Sequence, residues 1–246
     1  MSIFRRIFNF EKSKVEQLEK RLNQRYSIGS GFPLQATVRA GGRDYSARIH
    51  DMSVNGVRAQ VQSGAALAAG HHVQLLLMLG QHRLEIEARI AHQQARDGGQ
   101  YLGLGLVFPE FELQKTYLQL LQPVVIGQSL RPMPAETVVQ DDPRFHKQTY
   151  TGESDSQLTV RLDQARGMAL QGFDFRMQNY FCRGDLQSDK TEAGALESSD
   201  SSLTNPVFET SGGLHDEIHQ LFRWVVPNLG DAVPEDVRAF LQRFAA

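Results

Sequence analysis

Leu34 to Val61 reads L-Q-A-T-V-R-A-G-G-R-D-Y-S-A-R-I-H-D-M-S-V-N-G-V-R-A-Q-V, and its punctuation decides the fold. Leu34–Arg39 and Arg43–His50 follow a period of two, and Ala40-Gly41-Gly42 between them is a tight hairpin turn. Asp51–Gly56, D-M-S-V-N-G, forms the next turn, and Val57–Val61 leaves it as a third strand. Three short antiparallel strands cannot bury both faces alone, so the stretch requires more strands downstream.

They follow. His72–Leu79 and Arg83–Ala91 pair across Gly80-Gln81-His82, and Tyr101–Phe108 returns after a polar, Gly-rich loop. Six short antiparallel strands with turns every eight to twelve residues predict a small closed barrel. Glu110–Leu121 carries Phe111, Leu113, Tyr117, Leu118 and Leu121 and reads as a helix able to lie across it. Upstream, Phe10–Tyr26 places Val15, Leu18 and Leu22 at helical spacing among good helix formers. The segment before it, I-F-R-R-I-F-N-F, fits a partner-binding or membrane-surface arm, or an apolar tail folded onto the domain.

Beyond the barrel, Gln122–Tyr150 holds Pro123, Pro132, Pro134 and Pro143 with little periodicity and reads as a linker. Gln157–Leu162 and Met168–Phe181 are strand-like. Asp185–Asn205 is rich in Ser, Asp and Glu and is expected to be a mobile loop. Gly213–Val226 and Val233–Phe244 are amphipathic helices, the second opening with Pro234, Glu235 and Asp236, which suit a helix amino terminus. The expected organisation is a basic helix or arm over 1–28, a barrel with its terminal helix over 29–122, a linker over 123–150 and a smaller α+β domain over 151–246.

The net charge of −2 over 246 residues conceals a gradient. Residues 1–28 hold seven Lys/Arg against three Asp/Glu, whereas 131–246 hold eleven against eighteen. A short basic segment suits an anionic ligand, but its excess is too small for a nucleic-acid polymer. The single cysteine, Cys182, excludes an intramolecular disulfide and a Cys-rich metal site. No apolar run has the length of a signal peptide or a membrane span, so a cytoplasmic location is expected.

The residues that carry chemistry are Arg21, Arg25, Asp51, Ser53 and Gly56. A guanidinium can fork onto guanine O6 and N7 or meet a phosphate, and a carboxylate can accept from guanine N1–H and the amino group. Ser53 can donate to either, and Gly56 permits a positive φ or a close backbone approach. Alone, each motif is weak: [DN]-x-S-x-x-G arises by chance in about one chain in ten of this length. Arg39 and Arg43 repeat the spacing of Arg21 and Arg25 but lie inside the first hairpin, so position must discriminate between the pairs. The bland alternative is a solvated arginine face and an ordinary turn.

In combination these residues resemble the PilZ domain family. Arg21 and Arg25 match its R-x-x-x-R before the first strand, Asp51, Ser53 and Gly56 match its [DN]-x-S-x-x-G turn, and L-G-L-V-F at Leu104–Phe108 matches its late glycine-containing strand. The resemblance covers about residues 20–122. It implies a mainly β chain built on a six-stranded antiparallel PilZ-type barrel with flanking helices. It also implies cyclic di-GMP as ligand, no cofactor, no catalytic or metal-binding residues, and a receptor that signals to an unknown protein partner in control of motility, polysaccharide or biofilm behaviour. A PilZ-like scaffold that binds no nucleotide is the alternative. His215 and His219 are one helical turn apart, but the metalloprotease pattern needs Glu where Asp216 stands, and solvated helix histidines explain them better than a metal site.

Overall fold

The computed structural model describes residues 24–62, 67–96, 99–188, 190–196 and 212–245. The chain divides into two compact units, with the boundary between Gln122 and Pro123.

The first unit is a closed barrel. Its strands are β1 (Tyr26–Ser27), β2 (Leu34–Ala40), β3 (Arg43–Met52), β4 (Gly56–Val61), β5 (His72–Leu79), β6 (His82–Arg96) and β7 (Gly99–Val107). All pairings are antiparallel, and the circuit β3-β2-β5-β6-β7-β4 closes because β4 also pairs with β3. Closure removes the edges that a six-stranded sheet would otherwise expose. Alternate residues point inward: Leu75, Leu77, Leu79, Val57, Ala59, Ile86, Ile90 and Leu102 are all buried. The turn between β2 and β3 is the expected Gly-Gly turn, with φ of +56° at Gly41 and +75° at Gly42, where a side chain would be strained.

A β-bulge in β3 sets the site. Ile49 faces Ala59, but the next pair is Asp51 with Arg58, so His50 is the extra residue. Were His50 instead paired in a regular ladder, Asp51 would share the inward phase of Ile49. With the bulge, Met52 takes the core position opposite Val57 and Asp51 turns to the outer face. The sequence reading placed Asp51 at the start of a turn; it lies inside β3, which runs two residues further.

The amino-terminal helix expected over Phe10–Tyr26 falls outside the described residues except for its last three, which are not helical: Tyr26 belongs to β1. Its partner explains why. Tyr26 pairs with Met52 and Ser27 with Asp51, and both Tyr26 and Met52 are buried, so tertiary burial overrides local propensity.

The helix after the barrel, α1 (Phe111–Ser129), continues past the expected end at Leu121 and carries Pro123 in its interior. Val124, Val125 and Ile126 are buried, and that burial outweighs the hydrogen bond Pro123 cannot donate.

The second unit is built on a six-stranded antiparallel sheet. Its strands are β8 (Arg131–Pro132), β9 (Phe145–Gly152), β10 (Ser156–Asp163), β11 (Ala169–Met177), β12 (Tyr180–Asp185) and β13 (Lys190–Ala195), hydrogen-bonded in sequence order. Two expectations are corrected. Residues 123–150 are not a bare linker, since they hold the end of α1, β8 and most of β9. The expected loop from Asp185 contains β13, because Ala193 can be buried opposite Cys182; residues 197–205 lie outside the described set. Helix α2 (Gly212–Val225) packs on β12 and β13, and α3 (Glu235–Ala245) on β11. Phe173 joins them, stacking on Phe222 at 4.9 Å and meeting Phe244 edge-on at 5.2 Å. No helix among the described residues is long and apolar enough to cross a membrane.

Candidate functional site

The candidate site forms where β1, the end of β3 and the start of β4 meet. Arg25 immediately precedes β1, and the pairing of Ser27 with Asp51 brings its side chain to the bulged end of β3. Its Nη1 donates to Asp51 Oδ1 at 2.6 Å. Arg58, opposite Asp51 in the β3–β4 ladder, places Nε 2.6 Å from Oδ2. Asp51 is thus clamped between two guanidinium groups. The carboxylate side chain is only 6% exposed, whereas those of Arg25 and Arg58 are 47% and 51% exposed. One buried negative charge holds two half-exposed positive ones, so the outer surface here carries net positive charge with guanidinium donors turned to solvent.

The turn from Ser53 to Gly56 is held from within. Ser53 N–H donates to the Gly56 carbonyl at 2.8 Å, and Ser53 Oγ donates to Gly56 O at 3.3 Å and to Asn55 Oδ1 at 3.4 Å. From α1, the Tyr117 hydroxyl donates to the Ser53 carbonyl at 2.7 Å. Tyr117 is fully buried, and burial pushes its phenol far above the usual value, so the hydroxyl keeps its proton and remains a donor. Gly56 serves close approach, not positive φ. A Cβ there would lie 3.2 Å from the Leu104 carbonyl oxygen, 3.4 Å from Ser53 Oγ and 3.7 Å from Arg25 Nη2.

Four of the five residues singled out from the sequence, Arg25, Asp51, Ser53 and Gly56, therefore come together; Arg21 lies outside the described residues. Arg58 is a sequence neighbour of the turn to which the sequence alone assigns no required role; it faces Asp51 because His50 is the extra residue of the bulge. The rival arginine, Arg39, is engaged elsewhere: its Nε and Nη2 bind Asp44 across the hairpin at 2.6 and 3.0 Å. His215 and His219, one turn apart on α2, both reach Thr191 of β13, His219 Nε2 lying 3.2 Å from its hydroxyl and His215 Nε2 3.5 Å from its carbonyl. That contact joins helix to sheet.

A six-stranded antiparallel barrel whose outer rim carries an arginine–carboxylate–arginine clamp beside a tightly held serine–glycine turn defines a small β-barrel domain with a surface suited to an anion. Residues 19–123 match the family model of the PilZ domain. Among solved structures, the chain is similar to the PilZ domain of YcgR from Escherichia coli with c-di-GMP, at 17% identity and a TM-score of 0.36 over 39% of this chain and 85% of that one. It is also similar to the PlzA protein of Borreliella burgdorferi in complex with c-di-GMP, at 9% identity and a TM-score of 0.37 over 83% of this chain and 98% of that one. No curated protein matched the sequence.

Proposed function

We propose that the PilZ domain of this chain is a receptor for cyclic di-GMP, without catalytic activity of its own, and that residues 123–246 pass the signal to a protein partner in control of motility, polysaccharide or biofilm behaviour. The observation that carries the reading is the clamp of Arg25 and Arg58 on buried Asp51, set beside Ser53 and Gly56 in a domain whose family binds this ligand.

Each part has a task. Arg25, joined by Arg21 from the preceding segment, meets phosphate or the O6/N7 edge of guanine. Asp51 first aims the two guanidinium groups; its oxygens have further lone pairs with which to accept from guanine N1–H. Ser53 and the backbone at Gly56 line the floor. A ligand bridging Arg21 and Arg25 to the turn draws the amino-terminal segment toward the barrel, and it shifts the population only as far as it binds that arrangement better.

Calorimetric titration of the full chain with cyclic di-GMP tests the proposal. Binding at micromolar concentration or below is expected, weakened more than tenfold by Arg21→Ala or Arg25→Ala and unchanged by Arg39→Ala. Absence of heat from the wild-type protein would overturn it in favour of a scaffold that binds no nucleotide.

A further inference from the structure

The clamp does not stand alone on the outer face of the barrel. Along the ladder from Asp51–Arg58, the next outward row is Arg48, Gln60, Tyr101 and Gln94, paired in that order across β3, β4, β7 and β6. His50, the bulge residue, sits beside this row: its ring lies 5.1 Å from that of Tyr101 at an angle of 39°, and its Nε2 is 3.0 Å from Gln60 Oε1. The Arg96 guanidinium lies over the Tyr101 ring at 5.6 Å. Arg48 and Arg96 make no ion pair among the described residues, and within this row and the Asp51–Arg58 pair beside it the acidic residue is Asp51, already clamped.

We propose that Tyr101, backed by His50 and flanked by Arg96, is a stacking subsite for a purine base whose phosphate is met at the Arg25–Asp51–Arg58 clamp. This rests on the cyclic di-GMP reading and extends it: one half of the dinucleotide is held at the clamp and the turn, and a guanine stacks on Tyr101. The spacing fits. With a rise of about 3.3 Å per residue and strands about 4.8 Å apart, Tyr101 stands roughly 8 Å diagonally from Arg58, about the reach of one nucleotide unit. The chemistry fits as well. A half-buried aromatic ring next to exposed guanidinium groups is what a flat, electron-rich base on an anionic backbone requires.

Arg96 is exposed, so its cation–π contact is worth a factor of about two to five. A base stacked on an aromatic ring contributes about five- to a hundredfold in affinity. The base therefore displaces Arg96 from the ring and gains the guanidinium as a neighbour. The row of uncharged Gln60 and Gln94 on either side of Tyr101 adds no negative charge to repel the phosphates.

Titration of the full chain with cyclic di-GMP, comparing wild type with Tyr101→Phe, Tyr101→Leu and Tyr101→Ala, decides the matter. Tyr101→Phe keeps the ring and is expected to bind within about twofold of wild type. Tyr101→Leu keeps bulk on the strand without a π face and is expected to bind about tenfold more weakly, as is Tyr101→Ala. Thermal midpoints near wild type for the leucine variant show that the barrel is intact. If wild type binds and Tyr101→Leu binds equally well, the stacking subsite is overturned while the receptor reading stands. If wild type gives no heat, the receptor reading falls and the subsite with it.

Discussion

At the scale of single residues, the site depends on an asymmetry of burial. Asp51 is buried and its two arginines are half exposed, so the consequences of removing either partner differ. Asp51→Ala leaves guanidinium groups that water can solvate, and the loss of stability is expected to be about 1 kcal/mol; the loss of cyclic di-GMP affinity, more than tenfold, is expected to be far larger because both arginines lose their aim. Arg58→Ala leaves a buried carboxylate with one partner fewer and is expected to weaken both stability and binding. Chemical denaturation beside calorimetry separates the two effects, and a variant Asp51→Ala that bound normally would remove the aiming role. Tyr117→Phe leaves the buried Ser53 carbonyl without its 2.7 Å donor and is expected to cost about 1–3 kcal/mol of barrel stability in denaturant titrations. In the second unit, burial, with help from the Arg223 and His215 charges, lowers the pKa of His219 from its ordinary 6.5. The neutral imidazole is the folded form, so its contribution is complete above about pH 6.5 and is lost as pH falls through the depressed value. The thermal midpoint is expected to decline over that window, and His219→Asn to flatten the decline.

At the scale of elements, the bulge in β3 and the far end of α1 decide most. The bulge is one residue long, and it alone moves Asp51 from the core phase to the outer face. Deleting His50 removes only the extra residue and leaves Asp51 opposite Arg58 in an unbroken ladder, so the clamp is expected to survive and cyclic di-GMP binding to persist in calorimetric titration. His50→Ala keeps the bulge and is expected to keep the Arg25–Asp51 geometry. Binding lost by the deletion variant, with a thermal midpoint near wild type, would refute the assignment. At its other end α1 approaches backbone through Gly127, where a Cβ would stand 2.7 Å from the Asn228 carbonyl carbon and oxygen and 2.8 Å from the Val225 carbonyl oxygen. Backbone cannot yield as a flexible side chain does, so Gly127→Ala is expected to destabilise the second unit by about 1–3 kcal/mol, read by denaturation.

At the scale of the whole molecule, the basic face of the barrel predicts a dependence on ionic strength. Its arginines are exposed, and the Debye length shrinks from about 30 Å at 0.01 M salt to about 3 Å at 1 M, so cyclic di-GMP affinity is expected to fall several-fold across that range in calorimetric titrations. The sequence by itself determined the barrel, since period-two runs punctuated by Gly-Gly and by D-M-S-V-N-G have no other economical arrangement, and it singled out Arg25, Asp51, Ser53 and Gly56 by their placement around those strands. It also gave the two closing helices through their apolar stripes. What it did not determine were contacts that depend on partners distant in the chain. Burial of Tyr26 against Met52 made the end of a helical pattern into a strand, and packing of Val124–Ile126 carried a helix through Pro123. Ala193, paired with Cys182, drew a polar segment into a sheet. The one-residue bulge at His50 leaves no mark in composition or periodicity, because it follows from which ladder hydrogen bonds the folded barrel can close. That tertiary choice brought Arg58 to Asp51 and set His50 beside Tyr101.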